Sequence, residues 1–555
     1  MSVLQNIEQS LVEAVRTAAL DARESGAIGF EKLPEFMLEV PREKAHGDYA
    51  VNLAMLLAKQ AKMPPRAVAE EIVHHFPLEG SQVRSLDVAG PGFINVTLEP
   101  SWQLAVVPEV LQADKAYGRS DVGRGHRVMV EFVSANPTGL PHMGNARGAA
   151  LGDTIASLLD AAGYDVSREY YVNDAGNQID KFGVSLEVRF LQELGEAVEL
   201  PEDGYHGVDV SETVRGYIGK HGTALKDAPS EERRRVLAEY ALEEKLAHIQ
   251  LALSRFGVEY DSWFRESALY ESGEIDKALK ILEEHGYLYR EDGALWLAST
   301  KFGDKKDEVM IRQNGSPTYF AADIAYHLNK YERGFETLIN VWGADHHGHV
   351  ARMKGAMGAL GKDPESLEVV IMQLVRLFSG GEIVRMSKRT GRFITLDELM
   401  DEVGVDAARY FFVMRSADSH LDFDMDLAKS NSNDNPVFYV QYGHARICSI
   451  LRQAGDGWQG EANLNRLRTE EERELIDKIA HLPGIIAAAA QSREPHRICT
   501  YAHELAALFH RFYGACRVLG EEEELTRARL QLVKAAQITL RNVLTLIGVS
   551  APQQM

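Results

Sequence analysis

The chain has 555 residues, 45% of them hydrophobic and 26% charged, which excludes a single compact domain and predicts a globular protein of roughly three or four domains. Lys and Arg total 60 against 82 Asp and Glu, a net charge of −22 that argues against a non-specific nucleic-acid coat while leaving room for a local basic face fitted to one RNA. The three cysteines, Cys448, Cys499 and Cys516, give no zinc spacing and read as reduced thiols on helices. The first ten residues lack the basic start and apolar core of a signal peptide, and no apolar run approaches the roughly 20 residues that span a bilayer. A cytoplasmic protein with no membrane partner is expected.

Residues 1–110 read as a separate α+β unit. Leu4, Ile7, Leu11, Val12, Val15 and Ala19 form the apolar stripe of an opening helix. Two further helices are predicted over 50–60 and 65–76, the second opened by a proline pair. Gly90-Pro91-Gly92 turns the chain, and Ile94, Val96 and Leu98 alternate with Asn95 and Thr97 as a half-buried strand. Pattern alone favours a packing appendage. A Gly-rich connector over 117–125 leads to the core.

The core opens with a buried strand over 128–133, breaks at Asn136-Pro137-Thr138-Gly139, and resumes at Gly144 as a helix with Ala149, Leu151, Ile155, Leu158 and Leu159 at helical spacing. A second strand follows at 166–172. Such a βαβ unit builds doubly wound nucleotide-binding sheets, and the helix N-terminus between the strands suits a phosphate. The chain contains neither a GxGxxG fingerprint after this strand nor a GxxxxGK[ST] loop, which excludes an ordinary dinucleotide site and a P-loop. The remaining option is a phosphate site made by His142 and Asn145 side chains, with Gly144 permitting close backbone approach; a lone histidine before a helix is equally compatible with a cap. Downstream, Gly380-Gly381 introduce Arg385-Met386-Ser387-Lys388-Arg389, a basic loop able to close over a polyphosphate or, more plainly, a solvated turn.

Between these two stretches, 191–230 is polar and Gly-rich and 231–256 predicts a long helix. Asp345-His346-His347-His349 follows a predicted strand over 338–341; three histidines and an acid invite a metal, yet the end of a sheet strand fits contact with a nucleotide or substrate better, and no protein-bound metal is expected. After Arg415 a polar stretch, 416–435, precedes helical patterns marked by Leu475, Ile476 and Ile479, by Leu505, Leu508 and Phe512, and by Leu530, Val533, Ile538, Leu540, Val543 and Leu544, an α-bundle.

P-H-M-G-N after the first strand and R-M-S-K-R after a last one resemble the HIGH and KMSKS signatures of class I aminoacyl-tRNA synthetases. The resemblance extends over essentially the whole chain to the arginyl family, through E-F-V-S-A-N-P-T-G, N-A-R-G-A-A-L-G-D, F-R-E-S-A-L-Y (264–270), T-Y-F-A-A-D-I-A-Y-H (318–327), V-W-G-A-D-H-H-G-H (341–349), N-P-V-F-Y-V-Q-Y-G-H-A-R-I (435–447) and the terminal L-I-G-V-S-A-P. Two positions depart from the family pattern: Asn145 stands for the last His of HIGH and Arg385 for the first Lys of KMSKS.

The resemblance implies a multidomain α/β protein with a Rossmann-like doubly wound parallel catalytic sheet (116–420, with a connective insertion near 190–260), an N-terminal α+β domain (1–115) contacting the tRNA elbow and a C-terminal α-helical anticodon-binding bundle (421–555). It implies ATP-dependent attachment of arginine to an arginine-specific tRNA, with Mg2+ arriving on ATP and a monomeric enzyme. His142, Asn145, Arg385, Lys388 and Arg389 would be catalytic; His142, Gly144, Asn145, Asp345, His346, Ser387 and Lys388 would hold ATP. Glu266, Tyr319 and Asp323 would read the guanidinium, with Glu131 and Asn136 on the α-ammonium, and Tyr439, Gln441, Tyr442, His444 and Arg446 would meet tRNA. Tyr319 is also compatible with a core position, and Glu266 and Asp323 with helix caps. A metal-dependent phosphoesterase and a synthetase-like RNA binder without activity are the rival classes.

Overall fold

The computed structural model describes residues 2–41, 43–384 and 394–555, so Arg385, Ser387, Lys388 and Arg389 lie outside the described residues. The catalytic sheet has five parallel strands: β1 (Arg127–Glu131), β2 (Asp165–Val172), β3 (Ser262–Arg265), β4 (Thr337–Gly343) and β5 (Leu367–Met372). Their order is β5-β4-β1-β2-β3, so the chain winds outward from β1 in one direction and then in the other. The reversal falls between β1 and β4, and ligands of such sheets bind in the crevice beyond the carboxyl ends of those two strands. The helix after β1, α1 (Met143–Ala161), is apolar nearly all round and buried over most of its length, as an Ala-rich helix between two layers must be. Gly152 lets it approach β1 closely, since a Cβ there would fall 2.2 Å from Phe132 Cγ.

Helix α2 (Tyr319–Glu332) precedes β4, and α3 (His347–Ala359) follows it. In the register of the sheet, Glu131 at the end of β1 stands beside Asn340 of β4 and Glu169 of β2. This row of buried polar groups is neutralised from α2: Lys330 Nζ lies 2.5 Å from Glu131 Oε2 and 3.3 Å from Asn340 Oδ1, while Arg333 and Tyr326 bond Glu169. Buried carboxylates persist because each is paired and hydrogen-bonded.

The N-terminal unit is a four-stranded antiparallel sheet covered by helices Val3–Glu24, Leu53–Ala61 and Pro65–His74. The predicted helix over 50–60 starts later than expected, because Tyr49–Val51 joins the sheet as a strand before the chain turns helical. The polar stretch 191–230 also holds more structure than its composition implied. Helix Val208–His221 buries Val210, Val214 and Tyr217 against Phe182, Phe190 and Leu237, a small core of its own. A second insertion, a three-stranded antiparallel sheet over Leu288–Ile311, sits outside the expected 190–260. Within 416–435, Leu421–Asp424 pairs in parallel with Val375–Ser379.

The C-terminal bundle comprises α4 (Pro436–Ala454), Glu470–Ala480, Leu482–Ser492, α5 (His496–Ala515) and α6 (Glu523–Leu546), the last being one continuous helix. All three cysteines are buried free thiols. Among the described residues no helix is long and apolar enough to cross a membrane.

Candidate active site

His142 caps α1: its Nδ1 accepts from Gly144 N at 3.1 Å, and Asn145 Oδ1 accepts from His142 N at 3.0 Å. Asn145 therefore closes a reciprocal capping box, a function its short amide performs well. Gly144 makes room for the His142 ring, which would stand 3.0 Å from any Cβ at that position. The His142 side chain remains exposed at the helix mouth.

The segment that follows the second signature returns to the first. His142 forms an antiparallel bridge with Thr395, and Leu396 N donates to Pro141 O at 2.8 Å. The residues immediately after the basic loop are thus anchored to the first signature, although more than two hundred residues separate the two in sequence. Asp345 and His346 lie exposed beyond the carboxyl end of β4, their side chains 3.6 Å apart.

A second cluster adjoins the end of β1. Glu266 is 1% exposed and accepts from Tyr270 Oη at 3.0 Å. Burial, with Asp323 and Asp174 nearby, pushes its carboxyl up to about 7 against the pull of the Tyr270 and Tyr171 hydroxyls. Burial, then Glu266 and Asp323, raise the Tyr171 and Tyr270 hydroxyls. Tyr319 and Asp323 sit one above the other on α2, four residues apart, with Tyr319 exposed. Burial and Glu266 raise the Tyr319 hydroxyl. Glu266 occupies the N-cap position of the short helix Ser267–Glu271, as expected, but its side chain makes no cap bond, whereas Asp323 lies inside α2 and is not an N-cap. Two acids and three phenols gather here, and this arrangement fits a guanidinium.

At the end of β1, Val133 and Ser134 adopt φ of 70° and 40°. A β-branched residue there is strained, and the surroundings must hold it. The turn brings Ser134 Oγ 3.0 Å from Glu131 Oε1 and 3.1 Å from Tyr171 N, tying β1 to β2. Glu131 is thus held by both Ser134 and Lys330. Asn136 is exposed and donates to Gln178 Oε1 at 2.7 Å.

Residues 106–419 match the family "tRNA synthetases class I (R), catalytic domain", residues 5–98 the "Arginyl tRNA synthetase N terminal domain" and residues 440–555 the "DALR anticodon binding domain". The chain is similar over its full length, and theirs, to the arginine–tRNA ligases of Moorella thermoacetica (59% identical) and Desulforamulus reducens (58%). The Thermus thermophilus arginyl-tRNA synthetase structure superposes with a TM-score of 0.75 at 25% identity, covering 99% of this chain and 100% of that one. The chain belongs to the arginyl-tRNA synthetases.

Within the synthetase, the five bundle residues expected at tRNA divide between two faces of α4. Tyr439 stacks on His503 of α5 at 4.8 Å, and the Arg446 guanidinium lies over the rings of Tyr442 and Tyr513. These form an outward aromatic and cationic face. Gln441 and His444 correct the expectation: both are buried, Gln441 donating to Asp406 Oδ2 and Ser550 O, and His444 lying 2.9 Å from Pro552 O. They latch the C-terminal tail, because the inner face of a bundle helix is covered by the chain that follows it.

Sequence reasoning missed Lys330, Asn340, His327, Tyr171 and Tyr270. His327 and Lys330 follow Asp323 at four and seven residues, so helical spacing alone puts them on its face. For Asn340 no local signal exists, since its partners come from another element.

Proposed function

We propose that this synthetase forms arginyl-adenylate in the crevice between β1 and β4 and then passes the arginyl group to the 3′-terminal adenosine of its tRNA. The net reaction is arginine + ATP + tRNA giving arginyl-tRNA, AMP and pyrophosphate. The observation that carries the assignment is the Glu266–Asp323 pair, two neighbouring acids with the Tyr270 and Tyr171 hydroxyls on Glu266.

In the first step the arginine carboxylate attacks the α-phosphorus of ATP and pyrophosphate leaves. The protein needs no nucleophile of its own; it positions two substrates and stabilises charge. Asp323 and Glu266 hold the guanidinium, with Tyr319 closing over it. Glu131 and Asn136, fixed at the end of β1, take the α-ammonium; a carboxylate has about four lone-pair sites, so Glu131 accepts a further donor while bonded to Lys330 and Ser134. His142 and Asn145 face the ATP phosphates at the α1 mouth, with Gly144 between them and Asp345 and His346 across the crevice. Lys388, aided by Arg385, Ser387 and Arg389, neutralises the departing pyrophosphate. Mg2+ would enter on the ATP phosphates, ligated chiefly by them and water.

We place the working parts at 1–115, 116–420 and 421–555, the enzyme acting as a cytoplasmic monomer, with the N-terminal part at the tRNA elbow. Pyrophosphate exchange with each amino acid, with and without tRNA, tests the assignment. Exchange is expected with arginine and with tRNA present; exchange with another amino acid, or none, overturns it. In the same assay Lys388→Ala and His142→Ala are each expected to lose kcat by about 3 kcal/mol, roughly a hundredfold, with little change in the arginine KM.

The outward face of α4 gives a separate expectation. Arg446→Ala combined with Tyr442→Ala should raise the KM for tRNA in aminoacylation about tenfold or more, through lost stacking worth about 1–3 kcal/mol per base, and leave the KM values for arginine and ATP alone. Gln441→Ala should instead lower stability; a tRNA KM as strongly raised by Gln441→Ala would show that this side chain reaches the RNA.

A further inference from the structure

We propose that His349 is a positioning residue for arginine recognition, holding one oxygen of the Asp323 carboxylate so that the other is presented to the guanidinium. This rests on the arginine-site assignment above and adds to it the group that orients its central acid.

His349 is the third residue of α3, and its Nε2 lies 3.2 Å from Asp323 Oδ2 on α2. Among the described residues it is the one side chain hydrogen-bonded to that carboxylate. The ring is 22% exposed and is packed on two aromatic rings, Trp342 of β4 at 5.6 Å and Phe320 of α2 at 5.8 Å between centroids. Its orientation is therefore set by the wall behind it rather than by the acid it touches. In the Nε2–H tautomer the imidazole donates to Oδ2, and Oδ1 is left for a ligand.

A second histidine fixes the other end of the same residue. His327 Nδ1 donates to Asp323 O at 2.8 Å, and its Nε2 accepts from Asn340 Nδ2 at 2.8 Å. Burial and the nearby Lys330 ammonium hold His327 down to about 3, so it stays neutral and keeps this donor and acceptor pattern. Asn340 continues to Lys330 and so to Glu131. The acid that meets the guanidinium and the acid that meets the ammonium are thus ends of one hydrogen-bonded chain, with His349 holding its outermost carboxylate.

The chemistry explains why that matters. A planar guanidinium is matched by a carboxylate only in the right plane, and an aspartate free to rotate about χ1 and χ2 must be ordered at each binding event. Fixing the carboxylate beforehand strengthens arginine binding without touching ATP. It also sharpens discrimination, because a neutral urea such as citrulline gains little from an oriented anion.

The test is arginine-dependent pyrophosphate exchange by the full-length enzyme with tRNA present. His349→Ala is expected to raise the arginine KM about tenfold while kcat, the ATP KM and the melting temperature stay near wild type. His349→Gln, which keeps a donor at the reach of Nε2, should recover most of the loss. Added to Asp323→Ala, the His349→Ala change should cost nothing further. Selectivity for arginine over citrulline should fall in His349→Ala. An ATP KM raised as much as that for arginine would make His349 an adenosine contact and overturn the proposal; additive effects with Asp323→Ala, or an unaltered arginine KM, would overturn it also. A wild-type enzyme without arginine-dependent exchange would remove the arginine-site assignment itself, and this proposal with it, whereas an effect of Asp323→Ala without one of His349→Ala removes the proposal alone.

Discussion

Asp323→Ala is expected to lower kcat/KM for arginine by at least about thirtyfold, because truncating one partner of a desolvated charge pair costs on the order of 2–5 kcal/mol. The loss should appear in the arginine KM, with the ATP KM unchanged, in pyrophosphate exchange. A loss below threefold would remove Asp323 from the guanidinium site. Glu266 gives the same site a pH signature. Its carboxyl, pushed up to about 7 by burial and by Asp323 and Asp174, is mostly protonated in the empty pocket at pH 6, and a bound guanidinium favours the ionised form. Arginine binding must then expel a proton below pH 7. The arginine KM should be flat above pH 7 and rise as pH falls below it, by up to about tenfold per unit. In Glu266→Gln the KM should be high throughout and lose that slope. Stability follows the opposite course: with the folded pKa above the unfolded one, this group stabilises the empty enzyme below the ordinary carboxylate range and ceases to as pH rises to 7. Arginine should restore the difference, visible as a larger ligand-induced rise in melting temperature at pH 8 than at pH 6.

Lys330→Met should destabilise the catalytic domain by about 3–5 kcal/mol, because it leaves Glu131 buried without its cation. Lys330 is fully buried and Glu131 nearly so, hence water cannot replace the lost partner. Chemical unfolding monitored by tryptophan fluorescence measures the shift of the catalytic transition. Adding Glu131→Gln removes the stranded charge, and most of the lost stability should return, since replacing both members of a buried pair is often neutral. Activity should not return with it: the double variant lacks the carboxylate assigned to the α-ammonium, so its arginine KM should remain raised. A single Lys330→Met enzyme as stable as wild type would mean that the Lys330–Glu131 pair does not hold the domain together, contrary to the pairing observed.

The sequence by itself determined what is local. The opening helix, the β1–α1–β2 unit and the long C-terminal helices follow from apolar spacing, since a 3.6-residue period can bury only one face. Asp323 and Tyr319 share a face for the same reason. The two short signatures were likewise legible as sequence, and their order along the chain identified the family resemblance. Length and polarity failed where stability comes from partners: helix Val208–His221 is held by a core drawn from three helices, and strand Leu421–Asp424 by a neighbour some forty residues earlier. Gln441 and His444 look like ligands for RNA in the sequence, because nothing within α4 reveals that the last residues of the chain fold back over them. The same holds at the active site. Only the tertiary structure joined Thr395 to His142, Lys330 to Glu131 and His349 to Asp323, because hydrogen bonds and ion pairs depend on separation in space, and a sheet whose order reverses at β1 places side by side residues that lie up to about two hundred and fifty positions apart.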